Sequence, residues 1–244
     1  MAHRVDIEQL NLDGPYAAPT KEQQRAEIRV AFDVARLIYR SPQLLSAARG
    51  DDRTMLMAPG LGSGDPSLAP LRQFLRRTGH DARGWGFGRN GGNVRKYVNQ
   101  MTELVERAVV EAGGRPVNLV GWSLGGVVVR EVARDRPELI ERVATFGTPL
   151  LGPRYTVGIN FFPIEEIESI EAEIAERDAH PIETPVLTIF SRNDGIVDWR
   201  TCPDRISPNA VNLEVTSRHF GLGFDPTVWL ALADWFSSDA TKIR

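Results

Sequence analysis

Apolar residues recur along this chain in two alternating rhythms. Short, largely apolar runs stand between longer stretches in which apolar residues return every three or four positions. The first rhythm reads as buried strand and the second as amphipathic helix. Strands are expected at 54–58, 117–120, 140–146, 186–190 and 210–215, with a weaker one at 80–84. Helices are expected at 68–78, 94–112, 124–134 and 226–236. Gly79 closes the first helix and Gly113-Gly114 the second, since glycine accepts the left-handed backbone that ends a helix. Strands joined by helices of this length imply right-handed crossovers. The expected fold class is therefore α/β, with a mainly parallel sheet covered by helices on both faces.

Two regions depart from the alternation. Residues 1–20 read as an irregular lead-in. Residues 21–40 then read as a helix in which Ile28, Phe32, Ala35 and Tyr39 share one face, with Arg25, Arg29 and Arg36 around it. Thr20 can cap its start and Ser41-Pro42 ends it. Such a helix either packs on the body or serves as a membrane-surface or substrate-entry element. Residues 150–184 hold an apolar piece at 155–163 and then an acidic helix with Ile164, Ile167, Ile170 and Ile174 on one stripe. They read either as a small helical lid or as a helix packed on the body. The organisation expected is one domain over 1–244, with a helical extension at 1–50 and the insertion at 150–184.

Composition narrows the field. Hydrophobic residues make up 42% of the chain, and the net charge of −3 is the wrong sign for a nucleic-acid binder. Cys202 is the only cysteine, so no disulfide can form within the chain. The N-terminus shows no apolar signal core, and the longest apolar run is too short to span a bilayer. A cytoplasmic protein without a transmembrane segment is expected, with peripheral membrane contact left open.

The chemistry starts at 121–125, where Gly-Trp-Ser-Leu-Gly follows a strand directly and opens a helix. G-x-S-x-G alone is a weak signal. In a strand-to-helix turn it lifts the Ser123 hydroxyl above the sheet edge, where ligands bind in parallel sheets. A serine hydroxyl is a poor nucleophile and needs a base, which needs an orienting acid. His3 and His80 precede the serine, and His180 lies in the insertion. His219 follows the last strand and is the candidate base. After the penultimate strand, Asp194 is favoured as the acid over Asp198, because it lies nearer the strand end and before a glycine. A tetrahedral intermediate needs fixed donors for its oxyanion. The backbone N–H groups of Leu124 and of Leu61, in the glycine-rich loop after the first strand, fit that need.

These pieces together resemble the α/β-hydrolases of the lipase and esterase type. The matching segments are P-G-L-G-S-G-D at 59–65, G-W-S-L-G-G at 121–126, F-G-T-P at 146–149, S-R-N-D-G-I-V at 191–197 and R-H-F-G-L at 218–222. The resemblance implies Ser123 as nucleophile, Asp194 as acid, His219 as base, and Leu61 and Leu124 as oxyanion donors. Leu150 and Pro59 stand where many members carry histidine. With residues 1–50 reading mainly as helix, a reduced sheet of about six strands is expected, as in some bacterial lipases.

The implied activity is hydrolysis of carboxylic esters through an acyl-enzyme on Ser123, with no cofactor and no metal. Acyl transfer, thioester cleavage or non-catalytic ligand binding on the same frame are the alternatives. Leu61, Trp85, Trp122 and Leu150 are candidate lining for an apolar acyl or aromatic substrate. Phe161, Phe162, Trp199 and Phe220 are further candidates. A literal G-x-G-x-x-G at 86–91 follows a poor strand, so it is read as a wall of the cleft rather than a nucleotide loop.

Overall fold

The computed structural model describes residues 2–13, 15–161 and 163–237. Chain order runs β1 (His3–Val5), α1 (Lys21–Ala26), α2 (Val30–Arg40), β2 (Thr54–Ala58), α3 (Ala69–Arg77), β3 (Asp81–Gly84) and α4 (Val94–Glu111). It continues β4 (Val117–Trp122), α5 (Leu124–Asp135), β5 (Ile140–Phe146), α6 (Ile164–Asp178), β6 (Val186–Ser191), β7 (Ala210–Val215) and α7 (Pro226–Trp235). The sheet order is β1-β7-β6-β5-β4-β2-β3, parallel throughout except for β1, which runs antiparallel to β7.

The central strands are rich in apolar residues because both their faces are covered. β2, β4 and β6 are buried at every position. One face packs on α3 and α7 through Leu71, Leu75, Trp229 and Leu232. The other packs on α4 and α5 through Met101, Val105, Val128 and Val132. Helices thus lie on both faces of the sheet. Among the described residues the sheet has seven strands rather than about six. The extra one, His3–Val5, is three residues long at the sheet edge and is mostly exposed, so no apolar run marks it.

The stretch 21–40 also differs from its expected form. A turn of 3-10 helix at Glu27–Arg29 separates α1 from α2. The apolar face points outward: Ile28 and Tyr39 are each 84% exposed and Phe32 is 73% exposed. Glu27 and Asp33 are the residues buried instead. Polar interactions override the apolar periodicity here, because the Glu27 carboxylate accepts three backbone N–H groups from loops of the body.

The insertion forms α6, which is tied to α5 by ion pairs. Arg177 pairs with Glu131 and Asp135 of α5, Arg154 grips Glu171 with two bonds of 2.7 Å, and Ile167 is buried. Among the described residues, no helix is long and apolar enough to cross a membrane.

Candidate active site

Strand β4 ends at Trp122 and α5 begins at Leu124, so Ser123 alone makes the turn. It does so at φ 52° and ψ −124°, in a left-handed region that a side chain normally avoids. Strain of this kind persists only where the surroundings impose it. Here the Ser123 N–H donates to the Phe146 carbonyl at 2.9 Å, and the Ser123 carbonyl accepts from Gly126 N–H and from the Thr148 hydroxyl.

The two glycines of the motif have separate steric reasons. A Cβ on Gly121 would collide with the backbone of Gly126, and one on Gly125 would collide with the carbonyl of Ala58. The turn is tight enough to force strand and helix into contact, and glycine is what allows it. Gly125→Ala is expected to cost about 1–3 kcal/mol by overpacking against backbone. Calorimetry should show Tm lowered by several degrees; an unchanged Tm would contradict the steric reading.

His219 and Asp194 come together from the loops after β7 and β6. The imidazole Nδ1 lies 2.7 Å from Asp194 Oδ2, and both side chains are buried. Asp194 Oδ1 accepts the N–H groups of Ile196 and Val197, each at 2.8 Å, which fixes the carboxylate. Asp198 takes another role: it caps the short helix at Trp199–Thr201 and accepts from Ala17 N–H. Burial pulls the His219 pKa down. The charge of Asp194, its hydrogen bond and the charge of Glu27 outweigh that, so the pKa stands above the ordinary 6.5.

Ser123, Leu61, Leu124, Trp122, Leu150, Phe220 and His219 all border one cleft of about 900 Å³. The His219 ring lies against Gly147, the residue after β5, and 6.0 Å from the Trp122 ring centroid. With Nδ1 turned to Asp194, the ring's other nitrogen, Nε2, remains for the cleft. As the first residue of α5, Leu124 has an N–H without an intrahelical acceptor. Leu61 sits in a turn held by Gly62 N–H on the Asn90 carbonyl and Asn90 N–H on the Ser63 carbonyl, each at 2.8 Å.

The G-x-G-x-x-G segment therefore braces the Leu61 turn through its Asn90, and Asp65 accepts the N–H groups of Trp85 and Gly86. Trp85 itself does not reach the cleft. It is 1% exposed, stacked 4.7 Å from Tyr97 in the core. A large ring beside β3 gains more by filling the space under α4 than by facing solvent. Trp199 also lies away from this cleft, stacked on Phe190. The side chains of Phe161 and Phe162 fall outside the described residues.

On the far side, α6 contributes Ile170 and Ile174, and the floor along α5 becomes charged at Arg130 and Arg134. Arg130 pairs with the buried Asp204 at 2.6 Å. That charge holds Asp204 below the usual carboxylate range in spite of its burial. Sequence periodicity gives no sign of one more buried carboxylate at this edge, that of Glu27, which touches the loops carrying both Asp194 and His219.

No protein-family model matches the chain. Two curated triacylglycerol lipases, from Pseudarthrobacter phenanthrenivorans and Burkholderia plantarii, are each 38% identical over 56 residues. Those matches span 23% of this chain and only 18% and 16% of the lipases' own lengths. Among solved structures, the monoacylglycerol lipase of Paleococcus ferrophilus superposes with a TM-score of 0.57 at 17% identity, over 78% of this chain and 96% of that one. The thioesterase domain from the curacin biosynthetic pathway gives 0.53 at 13% identity, over 78% and 93%. Identities this low speak to architecture. Sheet order, crossovers and the serine turn agree with it: the chain has the α/β-hydrolase fold.

Proposed function

We propose that this protein is a serine hydrolase that cleaves carboxylic esters through an acyl-enzyme on Ser123. The observation that carries the reading is the 2.7 Å Asp194–His219 pair, whose histidine borders the same cleft as a serine held at a strained strand-to-helix turn. In the first half-reaction, Ser123 Oγ attacks the ester carbonyl carbon while His219 Nε2 takes its proton. The carbonyl oxygen becomes an oxyanion, met by the N–H groups of Leu61 and Leu124, with the N-terminus of α5 adding its dipole. Collapse breaks the ester bond, and His219 gives the proton to the leaving alcohol. Water, deprotonated by His219, then repeats the sequence on the acyl-enzyme and releases the acid.

The cleft favours a short or medium acyl chain. Its apolar walls, Trp122, Leu124, Val127 and Leu150, give way to the charged Arg130 about two helical turns, roughly 10 Å, along α5 from Ser123. A longer chain would run on past that buried Arg130–Asp204 pair against Glu131, Arg134 and Asp178, stripping water from charged groups that it cannot hydrogen-bond. A series of p-nitrophenyl esters tests this. Turnover should be greatest at short and medium acyl lengths, and absence of turnover on every ester would contradict the reading.

The outward apolar stripe of segment 21–40 supports peripheral contact with an anionic lipid surface, because Arg25 of α1 and Arg29 of the 3-10 turn stand exposed beside it. Co-sedimentation with phosphatidylglycerol vesicles should exceed that with phosphatidylcholine vesicles, and Phe32→Asp should reduce it. Equal, weak binding to both vesicles would remove this part of the reading.

A further inference from the structure

The helical segment before β2 reaches into the site through one side chain. Glu27 is 4% exposed. Its Oε1 accepts Gly195 N–H at 2.8 Å and His219 N–H at 3.0 Å, and its Oε2 accepts Phe220 N–H at 3.0 Å. Gly195 is the residue after Asp194. One carboxylate therefore joins the loop carrying the acid to the loop carrying the base. We propose that Glu27 is a positioning residue: it sets the placement of Asp194 relative to His219, so that segment 20–40 is a working part of the active site. The proposal rests on the Asp194–His219 reading given above.

Three further observations bear on it. A Cβ on Gly195 would collide with the Gln23 carbonyl, and one on Gly221 with the Asp33 carboxylate. Each loop thus carries a glycine where the segment presses on it, one on either side of Glu27. The segment is also fastened independently: Thr20 and Gln23 form a reciprocal cap at the start of α1, and Arg36 reaches Asp225 at 3.3 Å. Finally, the residue type suits the task. Three converging N–H donors need an acceptor with two oxygens and no hydrogen. A glutamine would turn its own N–H₂ on at least one of those donors, and an aspartate is one methylene too short to hold both loops.

The charge matters as well as the reach. The groups around the His219 loop are Asp194 from the acid loop, Glu27 and Asp33 from the helical segment, and Arg218 and Asp225 from its own stretch of chain. Of these, Asp194 and Glu27 favour the protonated imidazole, against its burial. Removing the Glu27 charge moves the His219 pKa down.

The test compares wild type with Glu27→Gln and Glu27→Asp by histidine NMR titration and by the rate of fluorophosphonate labelling. In Glu27→Gln, the His219 pKa should fall, the far-downfield proton of the Asp194–His219 bond should weaken, and labelling should slow on the order of 100-fold. Glu27→Asp keeps the charge, so its His219 pKa should stay nearer the wild-type value while labelling still slows. A folded Glu27→Gln with wild-type titration and wild-type labelling would overturn the proposal. A third measurement needs no variant. In the wild-type protein, the amides of Gly195, His219 and Phe220 should exchange with solvent in step with those of α1 and α2. Exchange of the three loop amides independently of the helices would overturn the proposal even if neither variant folds. The titration and exchange readouts need no turnover. An inactive wild-type protein would thus sink the hydrolase reading and leave this test standing.

Discussion

Replacing Ser123 with alanine is expected to lower ester turnover by about 10⁴-fold or more, leaving only what oxyanion donors and binding supply without a nucleophile. The fold should survive. Alanine keeps the Cβ, which is the atom set 3.2 Å from where a Cβ of Gly60 would stand, and the Ser123 hydroxyl is not among the groups that fix the turn. Those are backbone groups, bonded to Phe146, Gly126 and Thr148. Circular dichroism and Tm should therefore match wild type while kcat collapses. Retained turnover in a folded Ser123→Ala would mean that another group performs the attack.

Asp194→Asn should produce the second large effect, a loss of kcat of about 10⁴-fold at neutral pH. An asparagine in this place can present its amide N–H₂ to Nδ1, which favours the tautomer with the proton on Nε2. The nitrogen that must take the serine proton is then already occupied. Direction with pH follows from the raised His219 pKa. Catalysis needs neutral imidazole, so in wild type kcat/KM should rise with pH through a midpoint above 6.5. Asp194→Asn removes the largest influence favouring the proton, so the midpoint of its residual activity should move down. An acidic limb that stays in place would mean that Asp194 does not act on His219.

Stability and activity run in opposite directions at this pair. A histidine whose folded pKa is raised contributes stability that is fully present below its unfolded value of 6.5 and is lost as pH climbs through the folded value. The base is therefore competent in the pH range where its ion pair with Asp194 stabilises the fold least. His80 has the reverse sign. Its burial against Phe236 lowers its pKa, so its contribution weakens as pH falls below 6.5.

Much of this architecture is legible in the sequence because the features that carry it are local. The runs at 54–58, 117–120, 140–146 and 186–190 lie in strands that are buried over most of their length, so each is rich in apolar residues and stands out without knowledge of its neighbours. Gly121 and Gly125 are forced by the same tight turn that exposes Ser123. His219 is singled out by chain order, and it is the histidine that meets Asp194.

What the sequence conceals is long-range and polar. Glu27 gains its place from backbone N–H groups 168 and 192 residues away, and backbone donors leave no trace in residue type. Its burial turns Ile28, Phe32 and Tyr39 outward, against the rule that an apolar stripe faces the core. Strand β1 is short and mostly exposed, so it has no hydrophobic signature. Trp85 is placed by the room beneath α4, which no pattern along the chain records.

The measurement that tests the central claim most directly is labelling with a fluorophosphonate, followed by mass spectrometry of the digested protein. A covalent adduct on Ser123 is expected, lost in Ser123→Ala and strongly slowed in His219→Ala. A folded protein that takes no label, or takes it on a different residue, would contradict the account.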